Sequence, residues 1–270
     1  MAVGDEAIAA RFIQESLRST TVSIPDPDPG VESHAREAQN AIRAAFASSK
    51  DAIAAGSLLN RLSKVSQGKS TNGNWTEQAQ DSLRAAILFA GAGLDRALKS
   101  LVTSATGPLL SKDQNVKDKF EFFAAESITD QQTHSVNPRE FVRLFLNTGK
   151  APQDVLQARW VHNLTSGSAQ SAERVEELAS ALGVVESDLR KRIKPGINSR
   201  TALQSAFDAR NQIAHELDVT KPLEELRRPL ERIRARRAVA DTEEKVGEML
   251  SVAQLLVNDV AARLAAPSAT

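Results

Sequence analysis

The chain has no cysteine and no tyrosine. The first absence excludes disulfides, thiol nucleophiles, cysteine-ligated zinc and iron–sulfur clusters together, and it suits a reducing compartment. The second belongs to a wider shortage: aromatic residues make up only 4%, so the core has to be aliphatic, built on Leu, Val, Ile and Ala. An excess of either charge is lacking too. Lys plus Arg equals Asp plus Glu at 34 each, so overall charge gives no pull toward nucleic acid or an anionic membrane, and any basic surface must be local. No uninterrupted apolar run reaches membrane-spanning length. The start, MAVGDEAIAARF, carries Asp5 and Glu6 without the long apolar stretch of a secretory signal. A cytoplasmic protein without membrane contact is expected.

Several catalytic signatures are missing as well. GxxxxGK[ST], HExxH, GxSxG and EF-hand patterns do not occur, and GAGLDR at 91–96 lies in a helical pattern without the strand that a dinucleotide-binding loop requires. Of the four histidines, His34, His134 and His162 are widely separated and show no paired ligand spacing, so each reads as structural or surface, and neither metal nor cofactor is expected.

What is present is helical patterning in a chain of 270 residues, long enough for one large or two smaller domains. Apolar residues recur at spacings of three and four almost throughout, with no convincing run of alternating β-branched residues, which predicts an all-α fold. A first helix is expected from about Asp5 to Thr20, ended by the prolines of TTVSIPDPDPG, and a second from Val31 to Ser63. The loop-like SQGKSTNGN at 66–74 then marks a boundary between an N-terminal helical extension, 1–70, and a helical domain, 71–270.

From Trp75 a long helix carries Leu83, Ile87, Ala90, Leu94, Leu98 and Leu101 on one stripe, a buried face, with Gly91 and Gly93 permitting close helix approach. Shorter helices are expected from Gln114 to Ser127, from Pro138 to Leu146 with Asn137 as cap, and from Gln153 to Leu164. Others follow from Ala172 to Leu182, Ser187 to Ile193 and Ser199 to about Leu217. Pro222 is expected to open an Arg-rich helix reaching about Ala240, kinked at Pro229, and Asp241 to cap a last helix with the stripe Val246, Leu250, Ala253, Val257, Val260 and Leu264.

Chemistry concentrates at ARNQIAHEL, 209–217. A histidine titrates near neutral pH and can move protons, while a guanidinium holds a phosphate through paired donors, so Arg plus His suits phosphodiester cleavage without a metal. Asn211 lies four positions before His215, on the same face, and its amide could orient the imidazole or contact substrate. Arg210 is five positions before His215, about 140° around the helix, so a single helix makes an incomplete site, and a second copy across a two-fold axis could complete it. The bland alternative is a helix with an exposed Arg and a His that hydrogen-bonds a neighbour. Asp208 and Glu216 could tune His215 or be simple solvated charges.

Basic residues cluster on both sides of this motif. DLRKRIKPGINSR at 188–200 contains Arg190, Lys191, Arg192 and Lys194, and LEELRRPLERIRARR at 223–237 contains Arg227 and Arg228. Either could hold an RNA backbone, although the second could equally be a helix laced by pairs such as Glu224 with Arg228. LASALGVVESDLRK at 178–191 also follows a helix-turn-helix pattern, with Gly183 at the turn and Ala179, Val184 and Leu189 at buried offsets, so DNA binding is a rival expectation.

Arg210-Asn211-Gln212-Ile213-Ala214-His215 resembles the RN-x-x-x-H form of the Arg-x4–6-His motif of HEPN domains. The wider arrangement is similar to the RiboL-PSP-HEPN branch, with an early long apolar helix, here AAILFAGAGLDRALKSLV at 85–102, and the motif helix over a hundred residues later; the likeness covers about residues 75 to 264. This resemblance implies an α-helical bundle that forms a homodimer with the motif helices meeting in a cleft, and often a metal-independent endoribonuclease. Arg210 would then stabilise charge developing on the phosphate, His215 would act as general acid or base toward a ribose 2′-hydroxyl, and Asn211 would assist. The resemblance further implies work in toxin–antitoxin, anti-phage or RNA-processing systems, with an antitoxin or defence protein as partner, or else a non-catalytic binding module for RNA or protein.

Overall fold

Spacing of apolar residues at three and four becomes helix in the computed structural model, which describes residues 22, 24–28, 33–68, 75–129, 135–146, 149–194, 200–220 and 233–266. Among the described residues nine α-helices follow one another: α1 Arg36–Ser66, α2 Glu77–Lys112, α3 Gln114–Ile128, α4 Pro138–Phe145, α5 Pro152–Ser166, α6 Ala172–Ala181, α7 Ser187–Ile193, α8 Ala202–Glu216 and α9 Val239–Ala265. Their only β-type pairings are two isolated bridges, Thr129 with Val136 and Val219 with Arg234. The fold is all-α. None of these helices is long and apolar enough to cross a membrane.

The chain divides into two compact units: Met1–Pro27, Ile42–Leu94 and Ala202–Ser251 in the first, Asp28–Ala41, Asp95–Thr201 and Val252–Thr270 in the second. Helices α1, α2 and α9 contribute residues to both.

In the first unit, the α2 stripe Leu83, Ile87, Ala90 and Leu94 is fully buried, together with Ile42 and Ile53 of α1, Leu203, Ala206 and Phe207 of α8, and Val246 and Met249 of α9. Ser49 of α1 donates to the carbonyl of Ala86 at 3.0 Å, which places the two backbones in close contact. Aliphatic side chains in interlocking rows supply the stability that aromatic residues would otherwise bring.

In the second unit the same α2 stripe continues through Leu98 and Leu101, and the helix runs on past Gly107 and Pro108 to Lys112. Proline gives up one backbone hydrogen bond, the one to the Ser104 carbonyl, yet Ala105 and Leu109 stay on the buried stripe with no exposure. Burial outweighs the local penalty. Asp113 caps α3, accepting from the amides of Asn115 and Val116, and also takes Arg263 of α9 at 2.5 Å. Phe120 and Trp160 pack at 5.5 Å between ring centroids, so the scarce aromatic side chains gather where α3 meets α5.

One expectation shifts, and two fall on residues outside those described. The helix expected over Asp5 to Thr20 lies outside the described residues, as do 221–232, including Pro222 and Pro229. Residues 233–238, expected to be helical, are not, because their backbone groups pair elsewhere: Ile233 accepts from Thr220 and Ala235 donates to Asp218. Consequently α9 begins at Val239, and Asp241 falls in its first turn instead of preceding it.

Candidate functional site

The motif helix α8 buries Leu203, Ala206, Phe207, Ala209 and Ile213. Arg210 falls at helical spacing within that inward stripe, three residues after Phe207 and three before Ile213. It is half-buried, not the exposed arginine of the bland reading. Its stem lies across Gly91 of α2, where an added Cβ would come within 3.2 Å of its Cγ. Gly91 thus makes room for a side chain of α8, not for a helix backbone. The guanidinium Nε is still buried there, and Nη1 donates to the side-chain carbonyl of Asn211 at 3.0 Å.

His215 stands exposed in the last turn of α8, with no hydrogen-bond partner among the described residues. Asn211 shares its face, one turn back. The chain therefore brings Arg210 and Asn211 together directly, and Asn211 links the inward arginine to the outward face that holds His215. Asp208, on that outer face, accepts from Gln204 at 2.7 Å.

Sequence reasoning missed what holds the end of this helix. Leu217 and Asp218 both take positive φ, 50° and 65°, a conformation that costs non-glycine residues free energy and needs support. The support is a buried ionic clasp. The Asp218 carboxylate, with no exposure, receives Arg84 Nε at 3.0 Å and Arg237 through Nη2 at 2.5 Å and Nε at 3.1 Å. Arg84 also donates to Glu77 at 2.9 Å, to Asp81 at 2.8 Å and to the Ala235 carbonyl at 3.0 Å. Arg234 joins Glu77 at 3.0 Å and the Leu217 carbonyl at 2.9 Å. Burial works to lower the pKa of Arg84, but its hydrogen bonds to Asp218, Asp81 and Glu77 outweigh it and the pKa is raised, so Arg84 stays charged.

This clasp has a register. Gln80, Arg84 and Gly91 lie on one row of α2, at spacings of four and seven. They receive in turn Arg237, whose amide donates to Gln80 at 2.8 Å, then Asp218, then Arg210. Gln212, in the middle of the motif, accepts from Arg237 at 3.3 Å. The one signal in the sequence was Arg84 itself: a charge beside Leu83 on a buried stripe requires carboxylates.

The basic segments stand differently. Arg190 of α7 and Lys194 just past its end both reach Glu176 of α6, at 3.7 and 3.1 Å, and Lys191 reaches Asp188 at 3.1 Å. Arg192 is half-buried. Much of that positive charge is answered within the chain. Arg227 and Arg228 lie outside the described residues.

The helix-turn-helix pattern is built as expected between α6 and α7. Gly183 takes φ of 73°, its amide donates to Ser180 and that of Val184 to Ala179, a closure that needs a left-handed residue. Ala179, Val184 and Leu189 are buried. The start of α7 is another matter for DNA, since Glu186 caps it, accepting from the amides of Asp188 and Leu189, and Asp188 follows. Two carboxylates occupy the end that would approach DNA, and they repel its phosphates.

Among the described residues no group of three His, Asp or Glu side chains is arranged to hold a metal ion. Comparison with protein-family models, with curated proteins and with solved structures finds no match.

Proposed function

We propose that the protein is a metal-independent endoribonuclease of the HEPN type, whose site is completed when two copies of α8 face each other. The observation that carries this reading is the Arg210–Asn211 hydrogen bond beside exposed His215: a guanidinium held at the edge of the buried stripe by a neighbour that shares the histidine's face. One copy leaves Arg210 and His215 on different flanks of the helix, and a facing copy supplies the missing partner to each.

In this chemistry the ribose 2′-oxygen attacks phosphorus and the bond to the 5′-oxygen breaks. His215 of one copy takes the 2′-hydroxyl proton, water delivers a proton to the leaving 5′-oxygen and recovers one from the imidazolium, and Arg210 of the facing copy stabilises the charge on the non-bridging oxygens. The products carry a 2′,3′-cyclic phosphate and a 5′-hydroxyl. Involvement in toxin–antitoxin or anti-phage defence is the setting that such an activity fits.

The test is cleavage of single-stranded RNA by the purified protein in EDTA. Arg210→Ala and His215→Ala are each expected to lower the rate by at least about a hundredfold, the lower end of general acid–base catalysis, with melting temperature and helical content kept. Cleavage that survives both substitutions refutes the assignment.

A further inference from the structure

The second unit has a cleft of about 880 Å³ between α4 and α5, lined by Pro138, Arg139, Val142, Arg143, Val155 and Arg159, with Leu146 at its edge. Helix α4 is firmly based: Asn137 caps it through the amides of Arg139 and Glu140, its own amide donates to the Ile128 carbonyl at 2.7 Å, and Leu144 is buried. Yet its remaining apolar side chains point to solvent. Phe141, Val142 and Phe145 are exposed, Phe145 by 63%, and so is Leu146 just past the end of the helix, by 71%. So dense a run of exposed large apolar side chains on a short helix marks an interaction surface.

Charge and shape say what covers it. Three arginines line the cleft against a single carboxylate, Glu140, which Arg143 and Arg159 share at 3.1 and 3.4 Å. Arg139 has no ion-pair partner among the described residues and is exposed. An occupant must therefore bring negative charge. It must also bring aliphatic side chains, because the apolar part of the lining, Pro138, Val142, Leu146 and Val155, is aliphatic. A bilayer surface is flat and cannot fill a concave volume of this size, whereas side chains projecting from a helix can.

We propose that the cleft between α4 and α5 is a docking site for an acidic amphipathic helix of a partner protein, its leucine-like anchors entering the cleft and its carboxylates meeting Arg139 and Arg143. The site lies apart in sequence from the motif helix and does not depend on RNA cleavage.

Fluorescence anisotropy tests it with a labelled synthetic helical peptide that carries leucines on one face and glutamates along the border. A twin peptide with lysines in place of the glutamates, a single-stranded RNA oligonucleotide and phosphatidylglycerol vesicles are run in parallel. Saturable binding of the glutamate peptide is expected, weakened about tenfold or more by Arg139→Glu and by Arg143→Glu, and by Val142→Asp. Arg36→Glu, an equal charge change at an exposed position outside the cleft, is expected to leave it unchanged. All four positions are exposed, so the variants keep their helical content by circular dichroism. Equal binding of the lysine twin overturns the proposal. So does indifference to the arginine substitutions, or RNA or vesicles binding through these arginines while the glutamate peptide does not.

Discussion

Arg210 combines two demands that pull in opposite directions. Its stem helps seal the face between α8 and α2, while its guanidinium has to reach Asn211, which shares a face with His215. Gly91 is where that compromise can be tested without touching the site residues. An alanine there would sit 3.2 Å from Arg210 Cγ, close enough to displace a flexible stem by a few tenths of an ångström at small cost in stability. Helix propensity favours alanine by ~1 kcal/mol, so Gly91→Ala is expected to leave the melting temperature level or raised. RNA cleavage should nevertheless fall, because the guanidinium no longer meets Asn211 in the same place. Paired melting curves and cleavage rates check this, and a variant with full activity would mean that the Arg210–Asn211 contact is not needed. Asn211→Ala should lower cleavage less than Arg210→Ala, since it removes a positioning contact and not the charge.

At the scale of elements, the end of α8 depends on the clasp. Removing one member of a buried ion pair strands the other charges and costs about 3–5 kcal/mol. Asp218→Ala leaves Arg84 and Arg237 without their shared carboxylate and keeps a strained left-handed residue. A fall in melting temperature on the order of 10 °C is expected by calorimetry, with faster amide exchange over the last turn of α8. Gly183→Ala tests the second turn: besides its φ of 73°, a Cβ would lie 2.7 Å from Val116 Cγ2, so destabilisation of about 1–3 kcal/mol is expected in denaturant titration.

The helical elements themselves were largely legible. Stripes at three and four predicted α2 through α8 closely, because each buries a row of aliphatic residues and most start at a recognisable cap such as Asn137 or Asp113. The end of α2 was not legible, since Pro108 reads as a terminator and only the burial of Ala105 and Leu109 overrides it. Nor was the clasp. Asp218 and Arg84 are 134 residues apart, and nothing local distinguishes an Asp that closes a buried network from one that faces water. For the motif, spacing located Arg210, Asn211 and His215, but not that Arg210 is inward and His215 outward, which follows from where α2 lies.

For the whole molecule, the decisive property is the number of copies a site requires. With equal totals of acidic and basic residues, net charge neither opposes association of like chains nor concentrates RNA around them; specific faces must do both. If each proposed site takes Arg210 from one copy and His215 from the other, two dead variants should rescue each other. In a dimer of one Arg210→Ala chain and one His215→Ala chain, one site has lost both groups and the other keeps both. Free exchange of equal amounts makes half the dimers mixed, each with one of two sites intact, so cleavage should recover to about a quarter of the unsubstituted rate. Each variant alone stays inactive at any concentration. If instead a single chain supplied both groups to its own site, every chain in the mixture would be defective and mixing would restore nothing. Cleavage assayed before and after co-incubation of the two variants separates these arrangements, and the absence of rescue under conditions where subunit exchange is demonstrated by energy transfer between labelled chains would exclude the shared site.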